Sequence, residues 1–282
     1  MDDERSHCKT AVINSDVIVV GGYGDTCGNG CRYSVEHFKI HKRDLFMGRK
    51  VKPWSYKADP LNENFVVFDK REHCCISSFK QNYMIGGWKP YQYLNNEFIN
   101  SCFVYNLKLD RWSQIAGMNK KRSDAACTVF EGKIVVSGGQ NNKLIYKSEV
   151  DLSSVEAYDY FENKWTYLSD MNEERCQHAL VSMGNKMFVI GGYKKSTCEF
   201  FDSLSRKFCF LKTSSYFTPN MRYFQAMCID NRIVIFGEVF SKILGSIRKK
   251  VFTYNDETSE WKLIDISFLK YKTGLSCVKY YE

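Results

Sequence analysis

Proline is scarce, with only 4 in 282 residues, and no run of Gly, Ser or Pro reads as a linker. Composition does not shift partway along the chain, so one domain spanning 1–282 is expected. No apolar run approaches the ~18 residues of a membrane helix. The opening Met1-Asp2-Asp3-Glu4-Arg5 is charged, so neither a signal peptide nor membrane contact is expected. No Asn-x-Ser/Thr acceptor occurs either, so the 12 cysteines are expected to be reduced thiols of a cytoplasmic protein rather than a secreted disulfide framework. Several of them (Cys8, Cys74, Cys75, Cys127, Cys228, Cys277) fall on one strand of a repeat and read as small buried hydrophobes. Gly-x-Ser-x-Gly, P-loop and dinucleotide fingerprints are all missing, so neither an enzyme nor a cofactor is expected.

What is present is a core-forming composition, 44% hydrophobic and 15% aromatic, which argues against disorder. The net charge of +8 is spread over short clusters, Lys42-Arg43, Arg49-Lys50, Lys120-Lys121-Arg122 and Arg248-Lys249-Lys250. With no nucleic-acid motif these read as solvated loops, and nucleic-acid binding is not expected, although a surface favouring an acidic protein segment fits the charge.

Repetition decides the architecture. The stretch 171–192, MNEERCQHALVSMGNKMFVIGG, reads as Met-x3-Arg, a half-apolar strand, a turn at Gly184-Asn185, and an apolar strand closed by a glycine pair. MNKKRSDAACTVFEGKIVVSGG at 118–139 repeats it, with 16 residues from Arg122 to Gly138 and from Arg175 to Gly191. The arginine recurs at Arg5, Arg71, Arg122, Arg175 and Arg222, with Lys272 in the sixth place, at separations of 66, 51, 53, 47 and 50 residues. The glycine pair recurs at Gly21-Gly22, Gly86-Gly87, Gly138-Gly139 and Gly191-Gly192 and is half lost at Gly237-Glu238. Glycine there permits unusual backbone or lets a neighbour pack on bare main chain. After each pair come two aromatics seven residues apart: Tyr105 and Trp112, Tyr158 and Trp165, Phe201 and Phe208, Tyr254 and Trp261. Polar turn formers lie between them, so each pair marks the two arms of a hairpin.

Four strands per repeat result, and a four-stranded unit of about 50 residues cannot bury its apolar face alone. A ring of such units, a β-propeller, buries every face. At the arginine, the double glycine and the Tyr-x6-Trp pair the chain resembles the kelch family over residues 5–282. The expected fold is all-β: five blades of four antiparallel strands, six only if the amino terminus is truncated. The first repeat departs from the pattern, with Leu45 where Trp is expected and an insertion of about 15 residues within Lys39 to Asp69. The last first-strand, Gly274 to Tyr280, is expected to pair with Asp16 to Val20 and close the ring, as the resemblance implies.

The resemblance also frames function. A copper oxidase of this kind needs tyrosine and histidine ligands, which five histidines scarcely supply, and the Asp boxes of sialidase propellers are missing. Cys27, Cys31, His37 and His41 are competent zinc ligands, but their interior spacing is far shorter than that of zinc fingers, so no metal is expected. The repeated arginines read as holding loops through carbonyls and acids. By the resemblance, a protein or peptide partner meets the loop face around the central channel at Tyr23, Trp88, Gln140, Tyr193, Ser123 and Tyr223, where aromatics offer large contact area. It implies the substrate-recognition part of a kelch-like adaptor for a cullin-RING ubiquitin ligase. Neither BTB nor BACK sequence is recognised in these residues, and ligase contact would need an upstream BTB domain. The alternative is a cytoskeletal kelch protein binding actin through Lys120, Lys121 and Arg248 to Lys250.

Overall fold

A computed structural model describes residues 9–13, 16–20, 35–39, 55–57, 74–79, 81–89, 97–106, 109, 111–141, 150–213, 221–241 and 246–264. Every regular element among them is a β-strand. The first sheet is β1 (Lys9–Ile13), β2 (Asp16–Val20), β3 (Val35–Lys39) and β4 (Ser55–Lys57). The second joins β5 (Cys74–Ser78), β6 (Gln81–Ile85), β9 (Cys102–Asn106) and β10 (Arg111–Ile115), with the short pair β7 (Trp88–Lys89) and β8 (Glu97–Phe98) beyond it. The third joins β11 (Ala126–Phe130), β12 (Lys133–Ser137), β15 (Val155–Asp159) and β16 (Lys164–Tyr167), again with a short pair, β13 (Gln140–Asn141) and β14 (Val150–Asp151). The fourth is β17 (Ala179–Met183), β18 (Lys186–Ile190), β19 (Cys198–Asp202) and β20 (Lys207–Phe210), and the fifth β21 (Met221–Ile229), β22 (Arg232–Ser241), β23 (Ser246–Asn255) and β24 (Glu260–Ile264). Five four-stranded antiparallel sheets are the number read from the repeats.

These strands fall into two compact units, the first two sheets through Ser123 and the last three from Asp124. Within the second unit β11 lies beside β17 and β17 beside β21, so the first strands of successive sheets line up as the inner strands of neighbouring blades. Strand β18 shows why its sequence, KMFVI, is apolar at four successive positions. Met187 and Val189 pack towards the third blade with Phe130, Val135 and Ala157, while Phe188 and Ile190 pack towards the fifth with Ile233, Ile235 and Tyr254. A strand buried on both sides has no polar face to alternate with. Outer strands β16 and β20 instead bury one residue each, Trp165 and Phe208.

The paired aromatics stand directly across the outer hairpins. Tyr105 faces Trp112, Tyr158 faces Trp165, Phe201 faces Phe208 and Tyr254 faces Trp261, with ring centroids 5.1, 5.2, 5.1 and 4.9 Å apart. The residue after each first aromatic is Asn or Asp, and its side chain caps the turn. Asn106 accepts from the Leu109 N–H, Asp159 from Phe161 and Glu162, Asp202 from Ser205 and Asn255 from Glu257. Such Asx turns compete with further strand and so fix where the hairpin reverses. The Lys133 ammonium and these N–H groups hold Asp159 below the ordinary carboxylate range, and the Ser205 hydroxyl and N–H do the same for Asp202.

One expectation fails. Strand β2, Asp16–Val20, has β1 on one side and β3 on the other, with Lys9 opposite Val20 and Val20 opposite Val35. Both edges are taken, so Gly274 to Tyr280, which lies outside the described residues, is not its ladder neighbour. The physical reason is local: only two residues separate Lys9–Ile13 from β2 in sequence, so their pairing has a far smaller loop-closure cost than pairing with a strand from the opposite end of the chain.

Candidate interaction surface

The repeated residues form a main-chain clasp between one blade and the entry to the next. In the third blade the Gly139 N–H donates to the Arg175 carbonyl (2.8 Å), the Arg175 N–H to Leu152 O (3.1 Å), the Leu152 N–H to Gly139 O (2.8 Å) and the Met171 N–H to Ser153 O (2.9 Å). The second blade repeats it: Gly87 to Arg122 O (2.8 Å), Arg122 to Ile99 O (3.1 Å), Ile99 to Gly87 O (3.0 Å) and Met118 to Asn100 O (2.9 Å). Met-x3-Arg and the glycine pair are therefore two halves of one device. A Cβ on Gly86 would come 2.5 Å from the Arg122 carbonyl, and one on Gly138 would overlap the Arg175 carbonyl. At both positions φ is positive, +63° and +57°, which L side chains resist. His178, buried beside this seam, shares a 2.7 Å hydrogen bond with Ser137.

Arg175 is fully buried and spends its guanidinium on loop ends, as the sequence implied. Nε and Nη2 donate to Glu199 Oε1 (3.2 and 2.9 Å), Nη1 to the carbonyls of Gly191 and Thr197 (2.8 Å each), and Nη2 also to Glu173 and the Thr197 hydroxyl. The Thr197 hydroxyl in turn donates to Glu173. Glu199, equally buried, also accepts from the N–H and side-chain amide of Asn172 at 2.7 Å. A buried charge pair is tolerable only with its remaining donors and acceptors satisfied, which this network achieves. Sequence reasoning missed Glu199 as the counter-charge. Its signal was a glutamate two residues before the third-strand aromatic, as in Glu36-x-Phe38, Glu156-x-Tyr158 and Glu199-x-Phe201.

The loops that leave this clasp carry the expected contact residues. Tyr193 follows the Gly191-Gly192 pair with 47% of its surface exposed, anchored by its N–H on Cys176 O (2.9 Å). The Lys194 ammonium sits 5.0 Å from its ring centroid. Gln140, half-buried on β13, donates to Asp151 Oδ1 at 3.1 Å. Trp88 stands opposite Phe98 in the β7–β8 pair, and Tyr223 lies in β21 where the register shifts between Arg222 and Gln225. Ser123 corrects the expected set: at 1% exposure it offers a partner no surface, because it follows Arg122 into the clasp. Tyr23, Gly21 and Gly22 lie outside the described residues, as do Arg5, Arg71, Cys27, Cys31, His41 and Lys272; His37 falls on β3.

Among the described residues no three His, Cys, Asp or Glu could hold a metal ion, and no helix is long and apolar enough to cross a membrane. Cys74 is buried and Cys75, Cys127 and Cys228 are half-buried. Burial pushes the Cys75 thiol up to about 12 and the Cys198 thiol to about 11, so neither is a nucleophile near neutrality.

The family profile described as Kelch motif matches residues 121–172 and 174–213. Over 73% of the chain, Kelch-like protein 26 of Danio rerio is 25% identical, and the match covers 42% of that protein. Kelch-like protein 41a of Danio rerio is 36% identical over 43% of the chain and 18% of its own length, and Alpha-scruin of Limulus polyphemus is 26% identical over 84% of the chain and 26% of its own length. The chain thus spans less than half the length of these curated relatives. Paired glycines clasping the next arginine, aromatic hairpins and the motif match agree: residues 121–213 carry Kelch motifs, and the chain resembles the kelch-repeat β-propeller domains of kelch-like proteins.

Proposed function

We propose that this chain is the substrate-recognition propeller of a kelch-like adaptor for a cullin-RING ubiquitin ligase, capturing a protein segment on the loops that follow the glycine pairs. The observation that carries the reading is the contrast between clasp and loop. Arg122, Arg175 and their neighbours repeat and are buried, whereas the residues leaving the clasp differ from blade to blade and include the exposed Tyr193. A large ring presented at low entropy cost suits a recognition surface, and Lys194 over that ring favours an acidic partner segment. Likeness to Kelch-like protein 26 supports the adaptor assignment, which concerns the whole protein.

The test is proximity labelling in the native cell with the wild type and a Gln140→Ala/Tyr193→Ala variant. A recognition surface predicts loss of specific partners at an unchanged melting temperature, with cullin subunits labelled by both forms. Identical partner sets would refute it. The filament alternative predicts actin co-sedimentation that is lost when Lys120, Lys121, Arg248, Lys249 and Lys250 are reversed; Lys121 is exposed and Lys120 half-buried.

A further inference from the structure

In the last three blades the strands are antiparallel in chain order, so two hairpin turns, first to second strand and third to fourth, share one end of each sheet. The connection between second and third strands, with its glycine pair, leaves from the other end. Ion pairs join the hairpin turns across both seams. Arg206, in the β19–β20 turn, holds Glu131, in the β11–β12 turn of the preceding blade, at 2.6 Å, and Lys186, at the start of β18, holds Asp256, in the β23–β24 turn of the following blade, at 2.8 Å. The turns form one surface of this unit, at the end away from Gln140 and Tyr193.

Two of these turns hold apolar side chains in water. Phe161 and Leu204, each two residues after the aspartate that caps its turn, are 93% and 87% exposed. The same place in the fifth blade is Glu257, whose N–H meets Asn255 as the Phe161 N–H meets Asp159, so the hairpin needs no apolar side chain there. Charge around the tips selects the occupant. Residues 131–133, 159–164, 184–186, 202–207, 230–232 and 255–260 hold eight acids and six bases, so the +8 excess of the chain lies wholly outside these turns. An anionic partner such as nucleic acid finds no positive field here, and two copies facing each other with these turns avoid the repulsion that the excess imposes elsewhere. The two tips also sit in patches of opposite sign. The third blade's turns have three acids (Glu131, Asp159, Glu162) and two bases, and the fourth's have one acid and three bases (Lys186, Arg206, Lys207). Neighbouring patches of opposite sign become self-complementary under a two-fold axis, where each meets the other on the mate.

We infer that this end of the unit is a two-fold interface between copies of the chain, with Phe161 of one copy packed on Leu204 of the other. The third-blade turns of each copy then face the fourth-blade turns of its mate. The apolar tips are the anchors, and the opposite charges fix the register. The interface is separate from the loop surface of Gln140 and Tyr193 and does not depend on it.

Sedimentation equilibrium of the unaltered protein from about 1 to 100 µM should show two copies in exchange with one, with a dissociation constant inside that range. Phe161→Ser/Leu204→Ser should raise the constant at least about tenfold without lowering the melting temperature of the dilute protein, since both side chains are exposed. Gln140→Ala/Tyr193→Ala should leave it unchanged. Mixing Phe161→Cys protein with Leu204→Cys protein under mild oxidation should join the two introduced thiols, as peptide mass spectrometry would show, far more than either variant joins to itself. A single-copy mass throughout, a mass that climbs past two copies, an unchanged constant in the serine variant, weakening by the loop variant, or no joining of the introduced thiols would each overturn the inference. So would flotation of a single-copy chain with phosphatidylcholine vesicles that the serine variant loses, which would assign the tips to a lipid surface.

Discussion

Gly138→Ala separates two reasons for a glycine that recurs from repeat to repeat, its own backbone and the clasp. The added Cβ meets the Arg175 carbonyl, His178 Cε1 at 2.7 Å and Leu152 O at 3.2 Å, and φ is +57°. Gly132→Ala is the control: φ is +70° and nothing lies within 4 Å. Left-handed backbone costs an alanine about 1–2 kcal/mol at either site. Only at Gly138 must the Arg175 carbonyl withdraw, weakening the Gly139 bond and the Ser137–His178 bond, each about 1 kcal/mol, with overpacking of about 1–3 kcal/mol besides. Gly138→Ala should thus lose roughly 3 kcal/mol more than Gly132→Ala, which at the usual scaling for a chain this large is a melting temperature roughly 6–12 °C lower. Urea titration and calorimetry of the two variants measure it. Equal losses would refute the clasp as the reason for glycine.

Glu199→Gln removes the buried carboxylate and leaves Arg175 only the part-exposed Glu173 as counter-charge, which should cost about 3 kcal/mol, and Arg175→Lys, which keeps charge but loses the fork, should also destabilise; equilibrium unfolding checks both. A short iodoacetamide pulse near pH 8 should alkylate exposed Cys209 in the native protein while Cys75 and Cys198 resist until it unfolds, as peptide mass spectrometry would show. Asp159 has a folded value below its unfolded one, so its contribution is full above the unfolded value of about 3.9 and is lost as pH falls through the folded value. Asp159→Asn should therefore be less stable than wild type near neutrality in urea melts, with the gap closing as the pH falls below the unfolded value.

Local pattern carried the blades. Met187 to Ile190, apolar throughout and closed by a glycine pair, was legible as a strand, and Tyr158 with Trp165 marked a hairpin because polar turn formers such as Asp159 and Asn163 lie between them. Arg175 was legible as a loop-holding group, but its partner Glu199 was not singled out, since a charge pair joins residues far apart in sequence. Ser123 looked like a contact residue because its neighbours in the repeat lie on loops; only its depth beside Arg122 shows otherwise.

Composition, period and the spacing of glycine, arginine and aromatic determined by themselves an all-β chain of four-stranded blades, because those features act within a few residues of one another. The partner of Asp16–Val20, the continuation of β22 past Gly237 and the main-chain bonds that tie Gly139 to Arg175 were decided only in three dimensions. Each depends on which backbone groups meet, and every residue type but proline carries the same N–H and carbonyl, so the side-chain record leaves that choice open.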